Sequence, residues 1–395
     1  MRSSDIPKRH RKPKVRRMDP SEVHRFVGDL FADDMHAKRV LSLGNGVIGV
    51  MYAASLSVHA IGVGLSKARI LSPRHSIKQV DRLLSNTKLN VWEIFGSWAP
   101  FIIAERKELV IALDWTDFDA DDHAVLAAYL ITNHGRATPL AWKTVKKSEL
   151  KDARNGHEDE LLLRLRDIIP QDVRVTLLAD RGFGDQALYK FLHELGWDYV
   201  IRFRGIIEVC DSHGEAKPAS DWLSTTGRAK MLKKVKVTQD QTPVPGVVVV
   251  HARGMKDPWC LATSRSDLTS TKVVKLYGRR FTIEETFRDQ KDPRFGLGLS
   301  ATHTKSCVRR DRLLLLAAIA ESLLTLLGAA GEAAGLDGML KANTSKRRQH
   351  SLFRQGLMWY GLLPGLKEEK ARPLMEHFEQ LVASHQVFKD VFGVL

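Results

Sequence analysis

The sequence predicts an α/β fold in which a mixed β-sheet with a β-rich insertion lies between helical N-terminal and C-terminal regions. Three observations support this prediction. Short apolar runs of strand length alternate with helical patterns across residues 106–205. Residues 206–256 combine turn-forming Pro, Gly and Ser with runs of Val, which favour strands. The flanking segments, 21–105 and 306–395, have the apolar periodicity of helices.

The composition is that of a globular protein with an excess of positive charge. The chain has 395 residues, of which 44% are hydrophobic and 27% are charged, and its formal net charge is +15. This length allows two or three domains with a buried core. Such a charge suits a polyanionic partner, because each phosphate that Lys or Arg neutralises releases counterions. A solvated basic surface explains the charge equally well.

The positive charge is most concentrated at the N-terminus. Residues 1–17 carry eight Lys or Arg and a single acid, Asp5. We therefore expect residues 1–20 to form a flexible basic arm suited to contact with nucleic acid. The arm lacks the apolar centre of a secretory signal, and the three cysteines of the chain have no metal-binding spacing. These features favour a reducing cytoplasm as the location.

Two apolar segments are long enough to resemble membrane spans. Residues 40–66 contain no Asp, Glu, Lys or Arg, but five glycines interrupt them. Residues 313–331 carry Glu321 near their middle, where membrane insertion of a charge costs about 2.5–3.5 kcal/mol. We therefore expect buried core helices at both places.

The best-defined helix of the N-terminal region is predicted at 72–84, with Pro73 at its first position. Apolar residues recur on one face of this helix, and a helical stretch at 58–71 precedes it. The pattern resembles a helix-turn-helix DNA-binding region within 21–105, and a plain amphipathic helix pair fits it equally well. Three cations recur on the opposite face and would contact the phosphate backbone: Arg74, Lys78 and Arg82.

The predicted core has two parts, 106–205 and 257–305, on either side of the insertion 206–256. The second part begins with a strand at 259–263 and continues with a long helix at 269–291. In the first part we predict strands at 109–113, 123–132, 138–145, 173–179 and 199–203, and helices at 158–169 and 185–195. The residues 133–136 form a hairpin turn between the second and third strands.

Two aspartates directly follow predicted core strands. Asp114 comes after the first strand, and Asp180 comes after the strand at 173–179. An aspartate at such a place often only caps the next helix. If the two strands are neighbours, however, both carboxylates meet at one edge of the sheet, where α/β folds place reactive groups and hard cations such as Mg²⁺ bind.

The helix at 269–291 carries a polar stripe with the spacing Y-x2-R-x3-E-x6-K, formed by Tyr277, Arg280, Glu284 and Lys291. At about 100° per residue these four lie within roughly 60° of one another, and Arg288 falls on the same stripe. A solvated helix face explains such a stripe. One acid among several cations is also what a site requires if it holds metal and contacts phosphates.

Three stretches together resemble the DDE transposases, which have an RNase H-like fold with two aspartates on strand ends and a glutamate on a later helix. The stretches are 113–116, 178–183 and 277–291. The Tyr–Arg–Glu–Lys spacing is that of the YREK subgroup, the insertion-sequence-four-like transposases. The intervals of 66 and 104 residues between the three acids also suit this family, because a β-rich insertion lengthens the second. The resemblance covers roughly residues 106–300.

The resemblance implies a DNA transposase that excises and integrates an insertion sequence by hydrolysis and transesterification. Asp114, Asp180 and Glu284 would hold two Mg²⁺ or Mn²⁺ ions that activate water or a 3′-hydroxyl. DNA contacts would come from four residues of the polar stripe: Tyr277, Arg280, Arg288 and Lys291.

In the YREK subgroup the freed 3′-hydroxyl forms a DNA hairpin, and a tryptophan before the signature helix holds a flipped base. Residues 258–264 are similar to that region and give Trp259 this role, although packing at a strand start explains Trp259 equally well. The implied partners are terminal inverted repeats and target DNA, bound by a homodimer near the nucleoid without a membrane. Two alternatives are a same-fold nuclease without strand transfer and a DNA-binding regulator with a decayed core.

One acidic motif is excluded as a metal site. Asp117, Asp119 and Asp121 resemble the start of a calcium-binding loop, but Asp122 stands where glycine is required and Ala128 where the bidentate glutamate is required. Asp185 and Glu285 lie beside candidate catalytic residues but on other faces. We interpret them as a helix cap and a surface residue.

Overall fold

A computed structural model describes residues 20–342, 344–345 and 347–383. The predicted basic arm lies outside the described residues except for Pro20, and so does the end of the C-terminal region. Predictions about the arm therefore stay predictions.

The N-terminal region is helical, as predicted. The segment 40–66, which contains no Asp, Glu, Lys or Arg, lies within two helices whose axes differ by 96° across a short break. Glycines allow these helices to pack closely: a Cβ on Gly49 would lie 2.5 Å from the carbonyl oxygen of Ile61, and one on Gly62 would lie 2.5 Å from the Cα of Ile77. Close packing thus accounts for the glycines of this segment. The five helices are α1 (Pro20–Phe31), α2 (Ala37–Ala53), α3 (Val58–Arg69), α4 (Pro73–Ser85) and α5 (Val91–Ile103).

The core is a mixed sheet that begins with an antiparallel meander and continues with two parallel strands. The first strand lies at the centre and pairs antiparallel with the second and parallel with the fourth. The fifth strand is parallel to the fourth. This is the RNase H-like α/β arrangement that the resemblance implied. Its strands are β1 (Glu108–Phe118), β2 (His123–Ile131), β3 (Ala137–Lys146), β4 (Arg174–Ala179) and β5 (Asp198–Phe203).

The insertion is rich in β-structure, as predicted, and its strands continue the core sheet. Strand β10 (Trp259–Thr263) pairs antiparallel with β5 on one side and with a strand of the insertion on its other side. The sheet therefore has ten strands in the order β3-β2-β1-β4-β5-β10-β9-β8-β6-β7. The strands of the insertion are β6 (Glu208–Cys210), β7 (Ala216–Pro218), β8 (Lys230–Val237) and β9 (Thr242–Val250).

The helix predicted at 269–291 is not continuous. It consists of α8 (Ser270–Gly278), a 3₁₀ turn (Arg279–Phe281) and α9 (Thr282–Lys291). Gly278 favours the interruption because glycine has a low helix propensity. The tighter turn directs the Arg280 side chain inward, and 4% of this residue is exposed. The angular positions expected for one regular helix therefore do not hold across the turn.

The remaining helices cover the sheet and complete the C-terminal region, which is helical as predicted. Over its most apolar window α10 has the length and hydropathy of a membrane span and is 94% buried in the fold. Glu321 on α10 is buried and accepts a hydrogen bond from Gln290 Nε2 at 3.0 Å. This burial fits a core helix. The helices are α6 (Arg154–Ile168), α7 (Gln186–Glu194), α10 (Cys307–Ala333), α11 (Leu352–Leu362) and α12 (Glu368–Ala383).

Candidate active site

Asp114 and Asp180 leave neighbouring strands at the same edge of the sheet. The parallel ladder of β1 and β4 ends with Leu113 opposite Ala179, and the two aspartates are the next residues. The two strands are therefore neighbours in the sheet, which was the condition for both carboxylates to share one edge. Asp114 is not at the end of its strand, however, because β1 stays paired with β2 as far as Phe118. The apolar pattern did not predict this extension, because polar residues follow Asp114.

Arg280 connects the first and third acids. Its Nη1 donates to Asp114 Oδ2 at 3.0 Å, and its Nη2 donates to Glu284 Oε1 at 2.6 Å. The side chains of Arg280 and Asp114 are 5% and 14% exposed, whereas that of Glu284 is 50% exposed. The guanidinium thus lies at the buried end of the site, and Glu284 lies at its open end.

The electrostatics of the site centre on Asp114. Burial, together with the negative charges of Asp180 and Glu284, raises the pKa of its carboxyl to about 6. Arg280 and the Trp115 backbone N–H, which donates to Asp114 Oδ1 at 2.9 Å, act in the opposite direction on this pKa. Three acids thus influence one another at a place where a single cation, Arg280, offsets their charge only in part.

The three acids suit a divalent cation by their chemistry. Carboxylate oxygens are the ligands that Mg²⁺ and Mn²⁺ favour, and the mutual repulsion at Asp114 is of the kind that a bound cation relieves. Their present geometry is not that of a metal centre, because no His, Cys, Asp or Glu residues in the described part of the chain form a group of three close enough to hold an ion. Binding of an ion would therefore require side chains of this site to move.

The Asp180 carboxylate also has a local structural role. Its Oδ1 accepts a hydrogen bond from the backbone N–H of Gly182 at 2.7 Å and caps the short 3₁₀ helix Arg181–Phe183. This bond fixes the side chain beside Asp114 and engages one oxygen.

Tyr277 and Phe281 lie next to the Arg280 side chain, and Trp259 packs against both rings. Trp259 is half-buried, and its ring centre lies 4.9 Å from that of Tyr277, with the planes at 73°. Phe281 lies 5.9 Å from Trp259 and is 39% exposed. The Arg280 guanidinium carbon lies 4.8 Å from the centre of the Phe281 ring. The structure therefore brings Trp259 to the polar stripe, and its partial burial leaves a packing role and a base-holding role both open.

A family model described as a transposase DDE domain matches residues 105–320, more than half of the chain. The chain belongs to this family. The match contains the three acids and the polar stripe, and it extends from the start of the sheet into α10. Transposition, a DNA recombination reaction, is thereby supported as the function. No curated protein matches the chain.

The two remaining cations of the polar stripe have different surroundings. Lys291 Nζ donates to Thr116 Oγ1 at 3.0 Å and to the Asp117 carbonyl at 2.7 Å. It thereby ties the end of α9 to β1 just beyond Asp114. Arg288 is exposed and forms an ion pair with Glu285. Among the described residues, Arg288 has no recorded contact with the three acids, so its DNA-binding role stays a prediction.

A fourth acid next to the site was missed by the sequence interpretation. Glu158 on α6 is buried and accepts a hydrogen bond at 2.7 Å from Nε1 of Trp115, the residue after Asp114. Burial raises the pKa of Glu158 to about 7. A signal was present in the sequence: Glu158 occupies the first position of the buried α6 stripe that continues with Leu161, Leu162 and Leu165.

The two helices of the predicted helix-turn-helix are α3 and α4. Arg74, Lys78 and Arg82 are exposed on α4, whereas Val80 and Leu84 of the same helix are buried. This division of faces is as predicted and suits both a DNA-binding helix and an amphipathic helix pair.

The aspartates of the motif that resembles a calcium-binding loop form ion pairs with lysine and arginine. Lys147 Nζ donates to Asp117 at 2.7 Å and to Asp119 at 2.6 Å, and Arg310 pairs with Asp121. Asp185 accepts a hydrogen bond from the Ala187 N–H at 2.9 Å and caps α7, which confirms its interpretation as a helix cap.

Proposed function

We propose that the chain is a cut-and-paste DNA transposase in which Asp114, Asp180 and Glu284 hold two divalent ions, Mg²⁺ or Mn²⁺. The observation that carries this proposal is the arrangement of the acids: Asp114 and Asp180 leave adjacent parallel strands, and Arg280 binds both Asp114 and Glu284. When bound, the ions would activate the attacking water or 3′-hydroxyl and stabilise the leaving oxygen.

Arg280 has a second role in this proposal. Its planar guanidinium can bind two phosphate oxygens at once, as it now binds two carboxylates. Lys291 is a positioning residue, because its bonds to the end of β1 keep α9, and therefore Glu284, next to Asp114. Tyr277 packs against the Trp259 ring and supports the same surface. Arg288 is exposed and can reach DNA by leaving its half-buried partner Glu285.

We further propose that the chain is of the YREK type and forms a DNA hairpin. The spacing of Tyr277, Arg280, Glu284 and Lys291 supports this assignment, and so does the position of Trp259 beside Tyr277. An aromatic platform that holds a flipped base contributes roughly 1–3 kcal/mol per stacked base. Phe281 adds a partly exposed ring to this platform.

The remaining parts of the proposal concern partners and location. Terminal inverted repeats and target DNA would be the substrates, bound by a homodimer in the synaptic complex, and the protein would act in the cytoplasm at the nucleoid. Arg74, Lys78 and Arg82, exposed on α4, would recognise or anchor the terminal DNA.

One experiment separates the proposed function from its two alternatives. Purified protein is incubated with Mg²⁺ and duplex DNA that carries the inverted repeats bracketing its gene, together with a supercoiled target plasmid. A transposase yields nicked, hairpin and joined products, a nuclease yields cleavage without joining, and a regulator binds without any cleavage. Omission of Mg²⁺ and addition of EDTA are the controls. Cleavage that persists in EDTA would contradict the metal-dependent mechanism.

A further inference from the structure

A cavity of about 410 Å³ lies between α8 and the first half of β1, apart from the three acids. We name it the α8 groove. Its walls include apolar side chains of the sheet, among them Val110, Leu130 and Ile131, and three cations of the α8 region stand along its rim: Lys272, Lys275 and Arg279.

The rim cations are available to an external anion. Lys272, Lys275 and Arg279 are exposed, and their side chains have no recorded hydrogen bond or ion pair with the described residues. Their spacing of three and four residues places them along one side of the helix. Arg265, deeper in the groove, is instead 6% exposed and forms ion pairs with Asp267 and Glu108. The deep cation thus stabilises the fold, whereas the rim cations do not.

The groove lies on the same face of the sheet as the candidate active site. Side chains alternate along a strand, so Val110 and Asp114 of β1 point to the same side. They are four residues apart, which corresponds to about 13 Å along the strand. The rim cations lie on the side of α8 away from Tyr277, because Lys275 and Tyr277 are about 200° apart on the helix. The groove is therefore a surface separate from the three acids, on the other side of α8.

We propose that the α8 groove binds the sugar-phosphate backbone of DNA at a place apart from the three acids. The inference rests on the proposed function. Three exposed cations whose side chains have no ion pair with the described residues suit the phosphates. Contacts of this kind position DNA but do not read its sequence, because phosphates are the same in every sequence. The groove is therefore a positioning surface for both element ends and other DNA.

The test is a triple variant, Lys272→Gln, Lys275→Gln and Arg279→Gln, whose DNA affinity is measured by fluorescence anisotropy at several salt concentrations. Neutralising three phosphate contacts lowers the slope of log affinity against log salt by about 2.7 and lowers affinity on the order of 10- to 100-fold near 0.1 M salt. The loss is equal on duplexes with and without a terminal repeat. A matched control, Lys151→Gln, Lys367→Gln and Lys370→Gln, removes the same charge elsewhere and keeps the wild-type slope.

Two further kinds of variant serve as controls. The charge-conserving variant Lys272→Arg, Lys275→Arg and Arg279→Lys is expected to keep the wild-type slope. Each single Gln variant lowers the slope by about 0.9, which preserves the test if the triple variant does not fold.

Three outcomes would overturn the inference: an unchanged slope in the triple variant, an equal change in the control variant, or a loss confined to terminal-repeat DNA. If the wild-type protein nicks DNA but the triple variant keeps the wild-type salt slope, the role of the groove is refuted and the proposed function is not. Wild-type protein that neither binds nor nicks DNA refutes the proposed function together with it.

Discussion

The replacement Asp114→Asn tests whether burial and the neighbouring acids disfavour the ionised Asp114 carboxylate in the absence of metal. Asparagine keeps the size of the side chain and an oxygen that accepts from Arg280, but it removes the negative charge. Burial and the two other acids raise the pKa of Asp114 from 3.8 to about 6. At about 1.36 kcal/mol per pKa unit, the ionised carboxylate costs the folded state about 3 kcal/mol at neutral pH.

The sign of this effect follows from proton binding. Between pH 4 and pH 6 the folded protein keeps the Asp114 proton that the unfolded chain has lost, so the free energy of unfolding decreases as the pH rises. The contribution is fully present below about pH 4 and is lost above about pH 6. Asparagine cannot titrate. The variant should therefore gain stability relative to the wild type as the pH rises, by about 3 kcal/mol between pH 4 and pH 7.5.

The assay is urea-induced unfolding of both proteins at several pH values without divalent metal, followed by circular dichroism. Comparison at each pH cancels the contributions of other buried acids, such as Glu158 and Glu321. A difference in unfolding free energy that is constant with pH would refute the electrostatic description. Addition of Mg²⁺ or Mn²⁺ at pH 7.5 should then stabilise the wild type, by about 2.7 kcal/mol at 100 times the dissociation constant, and should stabilise Asp114→Asn much less.

Three other predictions concern the aromatic cluster, the N-terminal helices and their packing. Trp259→Ala should still nick the first DNA strand but form hairpins poorly on a denaturing gel, and a wild-type hairpin yield would return Trp259 to a packing role. Replacing Arg74, Lys78 and Arg82 together by Gln should reduce discrimination between terminal and random DNA in binding assays, whereas an equal loss on both would indicate backbone contact only. Gly62→Ala should lower the free energy of unfolding by about 1–3 kcal/mol, because its Cβ would meet the Ile77 backbone at 2.5 Å. Gly28→Ala, where no atom lies within 4 Å of the added Cβ, should instead be neutral or stabilising by up to about 1 kcal/mol.

Features that depend on local pattern were predictable from the sequence. Apolar runs located the core strands, and the acids that follow them marked the edge where Asp114 and Asp180 meet. The buried face of α4 followed from its periodicity. These features are predictable because burial of one face imposes a regular spacing on the residues of a strand or helix.

Features that depend on contacts between distant segments were not predictable. The bridge from Arg280 to Asp114 joins residues 166 positions apart, and it accompanies a 3₁₀ turn that a regular helical pattern conceals. The hydrogen bond from Trp115 to Glu158 crosses between elements in the same way. Strand order is likewise a tertiary property, so the sequence marked the insertion as β-rich without showing that it extends the core sheet.

In the proposed mechanism, three acids perform metal-dependent DNA cleavage while the basic residues provide affinity. The most direct test measures binding and nicking of end-labelled terminal-repeat DNA in parallel, with Mg²⁺ or with EDTA, for the wild type and for Asp180→Asn and Glu284→Gln. We predict metal-dependent nicking by the wild type and no detectable nicking by either variant. Both variants should bind DNA with an affinity within about threefold of the wild type, a difference of less than about 0.7 kcal/mol. Nicking at the wild-type rate by folded Asp180→Asn protein would contradict the assignment of the site.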